Sequence, residues 1–256
     1  MGEAFEVGAV AMRTQQRALE VLANNIANVN TQGFKRAQLR YADVVSNRLD
    51  AAALAEARIE QPAFAGVTMD PRLALDEQGD VQRTGRPMDL AIEGAGFIEL
   101  MGPAGQTLLW RGGGLKILED GMLATESGIA LKAAISMPRD ATELSIGKDG
   151  TVRASIGGEA EPVEIGQIRL VRLEDVSGVT RLDGGLYRVD EARLRTDAEP
   201  GDDGAGLLVQ GALERSNVEL TDEMVQLIMV QRAYAASAQV VQAADQLMGI
   251  INGLRR

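Results

Sequence analysis

The chain has 256 residues and a net charge of −11, long enough for one or two domains with a sizeable core. It is too acidic for a nucleic-acid backbone to be its main partner, since that needs a basic footprint. Only 3% of residues are aromatic and there is no cysteine or histidine. Any core must therefore rest on Leu, Ile, Val, Met and Ala, and thiolate ligands, imidazole ligands and imidazole proton transfer are excluded.

The N-terminal stretch MGEAFEVGAVAMR carries Glu3 and Glu6, with no cationic start and no continuous apolar run. It is not expected to act as a cleaved secretory signal, and no stretch of the chain is long enough to span a bilayer. Phe5, Met12, Leu19 and Ile26 recur every seven residues, with Leu22 and Val29 at intermediate places and Gly8 and Gln15 at the others. This predicts a helix with an apolar seam from about Ala4 to Val29. Its end, LANNIANVNTQGFKR, is rich in asparagine, a poor helix-interior residue. Asn30, Thr31 and Gly33 fit a helix stop, with Gly33 as the left-handed residue after the last turn. Asn24, Asn25 and Asn28 instead suggest amides that set the register against neighbouring copies, because polar groups at a packed helix interface fix register at some cost in stability.

Residues 34–70 are expected to form an extended, partly helical connector, with YADVVSNRLDAAALAEARIE (41–60) as its helical candidate before Pro62 and Gly66. From about Thr68 to Gly211 the pattern changes to short runs such as MDLAIE, FIELM, TLLW, LKIL, ELSIG, TVRASI, QIRLVRL and LYRV. Asp120-Gly121, Asp149-Gly150 and Gly184-Gly185 punctuate them as turns. Runs about ten residues apart with no strand–helix alternation predict an all-β domain over 71–211.

Within that region EGAGFIEL holds only a fragment of a dinucleotide fingerprint: Glu99 stands where the third glycine belongs and no helix follows, so a glycine turn between strands is the expectation. RGGGLK (111–116) lacks the phosphate-loop spacing and reads as a turn beside the lone Trp110, itself a core or interface residue. No calcium-loop pattern or nucleophile elbow occurs, and a Ser-His-Asp triad cannot be built without histidine. No catalytic, cofactor or metal residue is assigned.

After an acidic loop, DAEPGDDGAG, the tail runs from Ser216 to Met248 without Gly or Pro. Ser216 and Glu219 resemble a capping box. Leu220, Leu227, Tyr234, Val241 and Met248 repeat every seven residues, with Met224 between. A second stripe, including Val230, Ala233, Ala236, Val240, Ala244, Leu247 and Ile251, gives the helix more than one apolar face. The fold class expected is α+β: N- and C-terminal helices (1–33 and 212–256) pair as a coiled-coil-like domain, with the all-β domain inserted between them.

Four stretches resemble one known family, the bacterial flagellar rod and hook proteins. LANNIANVNTQGFKR resembles its N-terminal signature, GRPMDLAIEGAGF its central strand motif and TELSIGKDGTV the middle of its rod members. QGALERSNVELTDEMVQLIMVQRAYAASAQVVQAADQLM resembles its C-terminal signature. Total length and the segment between Phe34 and Met88 are most similar to distal rod members, with a proximal rod or hook-type subunit as the alternative. Phe97-Ile98, in place of the family's frequent aromatic pair, and Trp110-Arg111-Gly112-Gly113 depart from its pattern.

The resemblance implies a non-enzymatic subunit that polymerises with itself into a hollow helical drive shaft, with the terminal helices as inner tube and the β domain outside. It further implies export through the flagellar type III apparatus without a cleaved signal, and contacts with neighbouring rod and hook subunits and basal-body rings. In that reading the seam residues assemble the shaft together with Ser216, Asn217, Val218, Gln231 and Arg232, while Gly33 and Phe34 turn the chain outward. A reading from another class is a secreted β-domain enzyme or binding module with helical oligomerisation arms.

Overall fold

The structure, a computed structural model, describes residues 2–46, 63–157, 161–173, 178–189, 194–202 and 204–254. The chain divides into two compact units. The first, the helical unit, comprises Met1–Ala27, Ala37–Arg72 and Glu219–Arg256. Helix α1 spans Gly2–Ala27 and helix α2 spans Leu220–Leu254, with strands β1 (Ala37–Ser46) and β2 (Ala63–Leu73) paired as a two-stranded ribbon. Residues 41–46, expected as part of a helix, are strand; the remaining 47–60 lie outside the described residues. Tyr41, Val44 and Val45 are β-branched or aromatic and suit a pleated surface better than a helix, and pairing with β2 decides the matter.

The helical unit has a small core in which Ala18 and Leu22 of α1 meet Val230 of α2 and Met69 of β2. Leu19, Val21, Leu39 and Leu227 pack around them. Both helices run slightly short of expectation at the motif ends. α1 stops at Ala27, so Gly33, although left-handed at φ 65°, is not its terminating residue. α2 starts at Leu220, and the Ser216 hydroxyl accepts a hydrogen bond from the Val218 N–H at 3.3 Å, a local turn in place of a capping box.

The second, the β unit, comprises Asn28–Arg36 and Leu73–Val218. Its strands are β3 (Val81–Arg83), β4 (Asp89–Glu93), β5 (Phe97–Met101), β6 (Thr107–Trp110), β7 (Gly112–Ile117), β8 (Leu123–Thr125), β9 (Ala141–Ile146), β10 (Thr151–Ile156), β11 (Val163–Gln167), β12 (Leu170–Leu173), β13 (Thr180–Arg181), β14 (Leu186–Arg188), β15 (Leu194–Ala198), β16 (Leu207–Gln210) and β17 (Ala212–Glu214). They form a six-stranded sheet ordered β13-β14-β6-β5-β12-β15, a four-stranded sheet β16-β4-β7-β8, a three-stranded sheet β11-β10-β9 and the pair β17-β3. The ladders β5/β6, β4/β7, β16/β4 and β9/β10 are antiparallel.

Strands β5 and β6 are buried on both faces. Ile98, Leu100, Leu108 and Trp110 point into the main core, while Phe97 and Leu109 point into a second cluster with Leu75, Val171, Tyr187 and Val189. Double burial explains why Leu108, Leu109 and Trp110 are apolar in succession instead of alternating. The RGGGLK stretch, read from sequence as a turn, corrects to strand β7. A Cβ on Gly112 would lie 2.4 Å from the Leu90 carbonyl oxygen, and one on Gly113 would lie 3.0 Å from the Trp110 ring. The glycines are there so that β7 can press against β4 and the indole with positive φ.

Candidate assembly surfaces

The helical unit holds most residues predicted for assembly. α1 and α2 meet along a line that mixes small, polar and apolar groups. A Cβ added to Gly8 would approach Val241 Cγ2 to 2.6 Å, Gln15 Nε2 donates to Ser237 Oγ at 3.1 Å, and Leu22 packs with Val230. At the far end Asn25 is fully buried. Its Nδ2 donates to the Ala37 carbonyl at 3.0 Å and to Glu223 Oε2 at 3.1 Å, and its Oδ1 accepts from the Ala37 N–H at 3.0 Å. Thus Asn25 is spent on its own chain, tying α1 to β1 and to the first turn of α2. Of the other amides, Asn24 is exposed, and half-buried Asn28 accepts from the Thr31 hydroxyl at 3.1 Å.

Among the seam positions, Leu22 is buried, while Met12, Leu19, Ile26, Leu227 and Val241 are half-buried. Leu220 and Tyr234, expected in the same row, are exposed, and Phe5 and Met248 lie within α1 and α2. The row on α2 that faces α1 is instead Glu223, Leu227, Val230, Ser237 and Val241. The opposite side of α2 carries Met224 (52% exposed), Val225, Ile228, Met229 (61%), Val240, Leu247 and Ile250 (60%) in the open, with Gln231 and Arg232 alongside. Exposed apolar stripes of this kind on soluble proteins commonly mark binding surfaces.

The remaining predicted residues lie in the β unit. Val29 is half-buried and Val218 buried. Segments 33–36 and 214–217 run against each other: the Gly33 N–H donates to the Glu214 carbonyl at 2.8 Å, the Asn217 N–H to the Phe34 carbonyl at 3.3 Å, and the Arg36 N–H to Asn217 Oδ1 at 2.7 Å. Asn217 Nδ2 also reaches the carbonyls of Ala74 and Glu77, and the Arg181 guanidinium lies 4.1 Å over the Phe34 ring.

Beneath this junction is a buried ionic cluster that sequence reasoning missed. Glu214 Oε1 accepts from Lys35 Nζ at 2.7 Å and from the Gly79 N–H at 3.0 Å; its Oε2 pairs with Arg111 at 3.1 Å. Lys35 also donates to the Glu77 carbonyl, and Arg111 to the carbonyls of Gly96 at 2.6 Å and Gly94 at 2.9 Å. All three side chains are at most 2% exposed. Burial, and then the neighbouring Arg111 charge, push the Lys35 ammonium below its ordinary pKa. No signal in the sequence sets them apart, since Lys35 stands beside Arg36 and Glu214 beside Arg215, and their meeting depends on a tertiary fold.

Three family models match. "Flagella basal body rod protein" covers residues 5–35, "Flagellar hook protein FlgE/F/G D1 domain" covers 91–154, and "Flagellar basal body rod FlgEFG protein C-terminal" covers 209–254. The flagellar basal-body rod protein FlgG of Caulobacter vibrioides is 33% identical over 99% of both chains. That of Borreliella burgdorferi is 33% identical over the whole of both. The chain belongs to the flagellar rod and hook family. A FlgF rod protein of Caulobacter vibrioides is also similar, 31% identical over 96% of this chain and 95% of its own, but the likeness is greatest to FlgG members.

Membership makes the chain a structural subunit of the flagellar basal-body rod, serving motility, in a family without enzymatic activity. It also implies self-polymerisation and contact with neighbouring rod and hook subunits. Among the described residues no helix is long and apolar enough to cross a membrane. The two terminal family matches end and begin beside the buried cluster: Lys35 closes the first and Glu214 stands five residues into the last.

Proposed function

We propose that this rod subunit stacks into a hollow helical shaft that carries motor torque to the hook, with its terminal helices packed as coiled-coil-like layers between copies. The observation that carries this reading is the open apolar stripe on α2, from Met224 to Ile250. Burying such residues contributes roughly 1.5–3 kcal/mol each, and one α1 cannot cover both faces of a 35-residue helix. A contact that joins unlike surfaces of successive copies propagates as a filament when its rotation does not close into a ring.

In this reading 1–33 and 212–256 serve as the inner tube, 34–70 as connector and 71–211 as outer domain. Asn24, Asn28, Val29, Leu220, Met224, Gln231, Arg232 and Tyr234 face neighbouring copies. The shaft traverses the periplasm inside the basal-body rings, and its subunits arrive through the flagellar type III apparatus without a cleaved signal. Electron microscopy of the purified protein across a concentration series tests the reading. Tubes should appear at high concentration; discrete particles at every concentration would reject it.

A further inference from the structure

We propose that Glu214 is the closure residue of the β unit: the unit locks only when the segment 207–218 docks and gives Lys35 and Arg111 their shared carboxylate. The argument is one of chain order and charge. Lys35 and Arg111 precede Glu214 by 179 and 103 residues. Strands β16 and β17, which flank β4 and β3, are likewise the last of the unit to be made. A chain that emerges N-terminus first therefore brings two cations to one site where they meet backbone carbonyls and, for Lys35, the more distant pull of the exposed Glu77 carboxylate, but not the anion they bond directly. Taking unpaired charges out of water is strongly unfavourable, so the open form persists until the last strand supplies the anion. Once it does, the carboxylate is saturated: Lys35, the Gly79 N–H and Arg111 occupy its oxygens, and Gly79 leaves no room for a Cβ, which would fall 1.9 Å from the Arg215 carbonyl. The consequence is a β domain that stays open through synthesis or transit and closes on completion.

The full-length chain supplies its own reporter, since its single tryptophan, Trp110, is 4% exposed in the core of the β unit. Glu214→Gln keeps the shape, removes the charge and turns one acceptor oxygen into an NH2 that faces a donor. Urea titrations followed by Trp110 emission should show the folded-to-open ratio lowered about 100-fold or more, the scale for breaking a buried ion pair. Adding Lys35→Met to Glu214→Gln should recover about tenfold or more, because one stranded cation is gone and Arg111 keeps its two carbonyl partners. Exposed Arg215→Gln, the adjacent charge, should leave the titration unchanged. A Glu214→Gln chain with wild-type emission and midpoint, or a double variant no more stable than the single one, overturns the proposal. Tube formation is scored separately, so failure here is distinct from failure of the shaft reading.

Discussion

Tyr187 is fully buried and its hydroxyl donates to the Gly33 carbonyl at 3.2 Å. Burial pushes its phenol up to about 12. A raised folded pKa binds the proton more tightly than the unfolded chain does, so the stabilisation is complete below pH 10 and is lost as pH rises from 10 towards 12. The loss is of order 2–3 kcal/mol. Tyr187→Phe should be about 1 kcal/mol less stable at pH 8, from the lost hydrogen bond; across that window the gap should close and then reverse, since only wild type loses stability there. A constant offset in urea midpoints from pH 8 to 12 would show that the phenol is not held neutral by the fold. A second residue-scale test concerns Gly112, at φ 107° with the Leu90 carbonyl 2.4 Å from any added Cβ. Gly112→Ala should cost about 3 kcal/mol or more, since both strain and clash fall on backbone that cannot move aside. A thermal midpoint within a degree of wild type would mean that β7 can shift away from β4.

Among elements, α1 and α2 carry opposed tendencies at Gly8. Replacing a mid-helix glycine with alanine gains about 1 kcal/mol of helix propensity, but here the new methyl falls 2.6 Å from a Val241 methyl on the facing helix. A valine methyl is held close to its backbone and yields little, so the clash should win and Gly8→Ala should lower the melting of the 222 nm helical signal. A rise in melting would place the helices further apart than described. On the other face, Met229→Glu and Val240→Asp change residues about 60% exposed; the monomer's melting should move by less than about 0.5 kcal/mol, while tubes disappear. Normal tubes from both variants would remove the α2 stripe from assembly.

These contrasts show how much was legible beforehand. The helices at either end, the strand runs and the Gly94–Gly96 turn follow from local period and turn chemistry. Which face of α2 meets α1 did not follow from the sevens, because Glu223 and Ser237 are recruited by Asn25 and Gln15, partners more than 200 residues distant for Ser237 and 198 for Glu223. The same distance hid the strand nature of RGGGLK, where the glycines answer to β4, and the Lys35–Glu214–Arg111 cluster.

At the scale of the molecule, the boundary of the β unit falls inside the N-terminal signature: Asn28–Arg36 belongs with Leu73–Val218. Two deletions that differ by nine residues should therefore behave differently. Removing residues 2–27 takes away α1 and leaves Gly33, Phe34, Lys35 and Asn217 with their partners, so Trp110 should keep its buried emission and the protein should form no tubes. Extending the cut to residue 36 strips Glu214 of Lys35 and Tyr187 of its Gly33 acceptor. It also empties the site of the Phe34 ring under Arg181. Losing a large buried aromatic alone typically costs 3–5 kcal/mol, and an unpaired acceptor adds more. That sum rivals the whole stability of an ordinary domain, so the longer deletion should expose Trp110 and become protease-labile. If the shorter deletion already unfolds the β unit, or still assembles into tubes, the division of labour between helical pair and β unit is wrong.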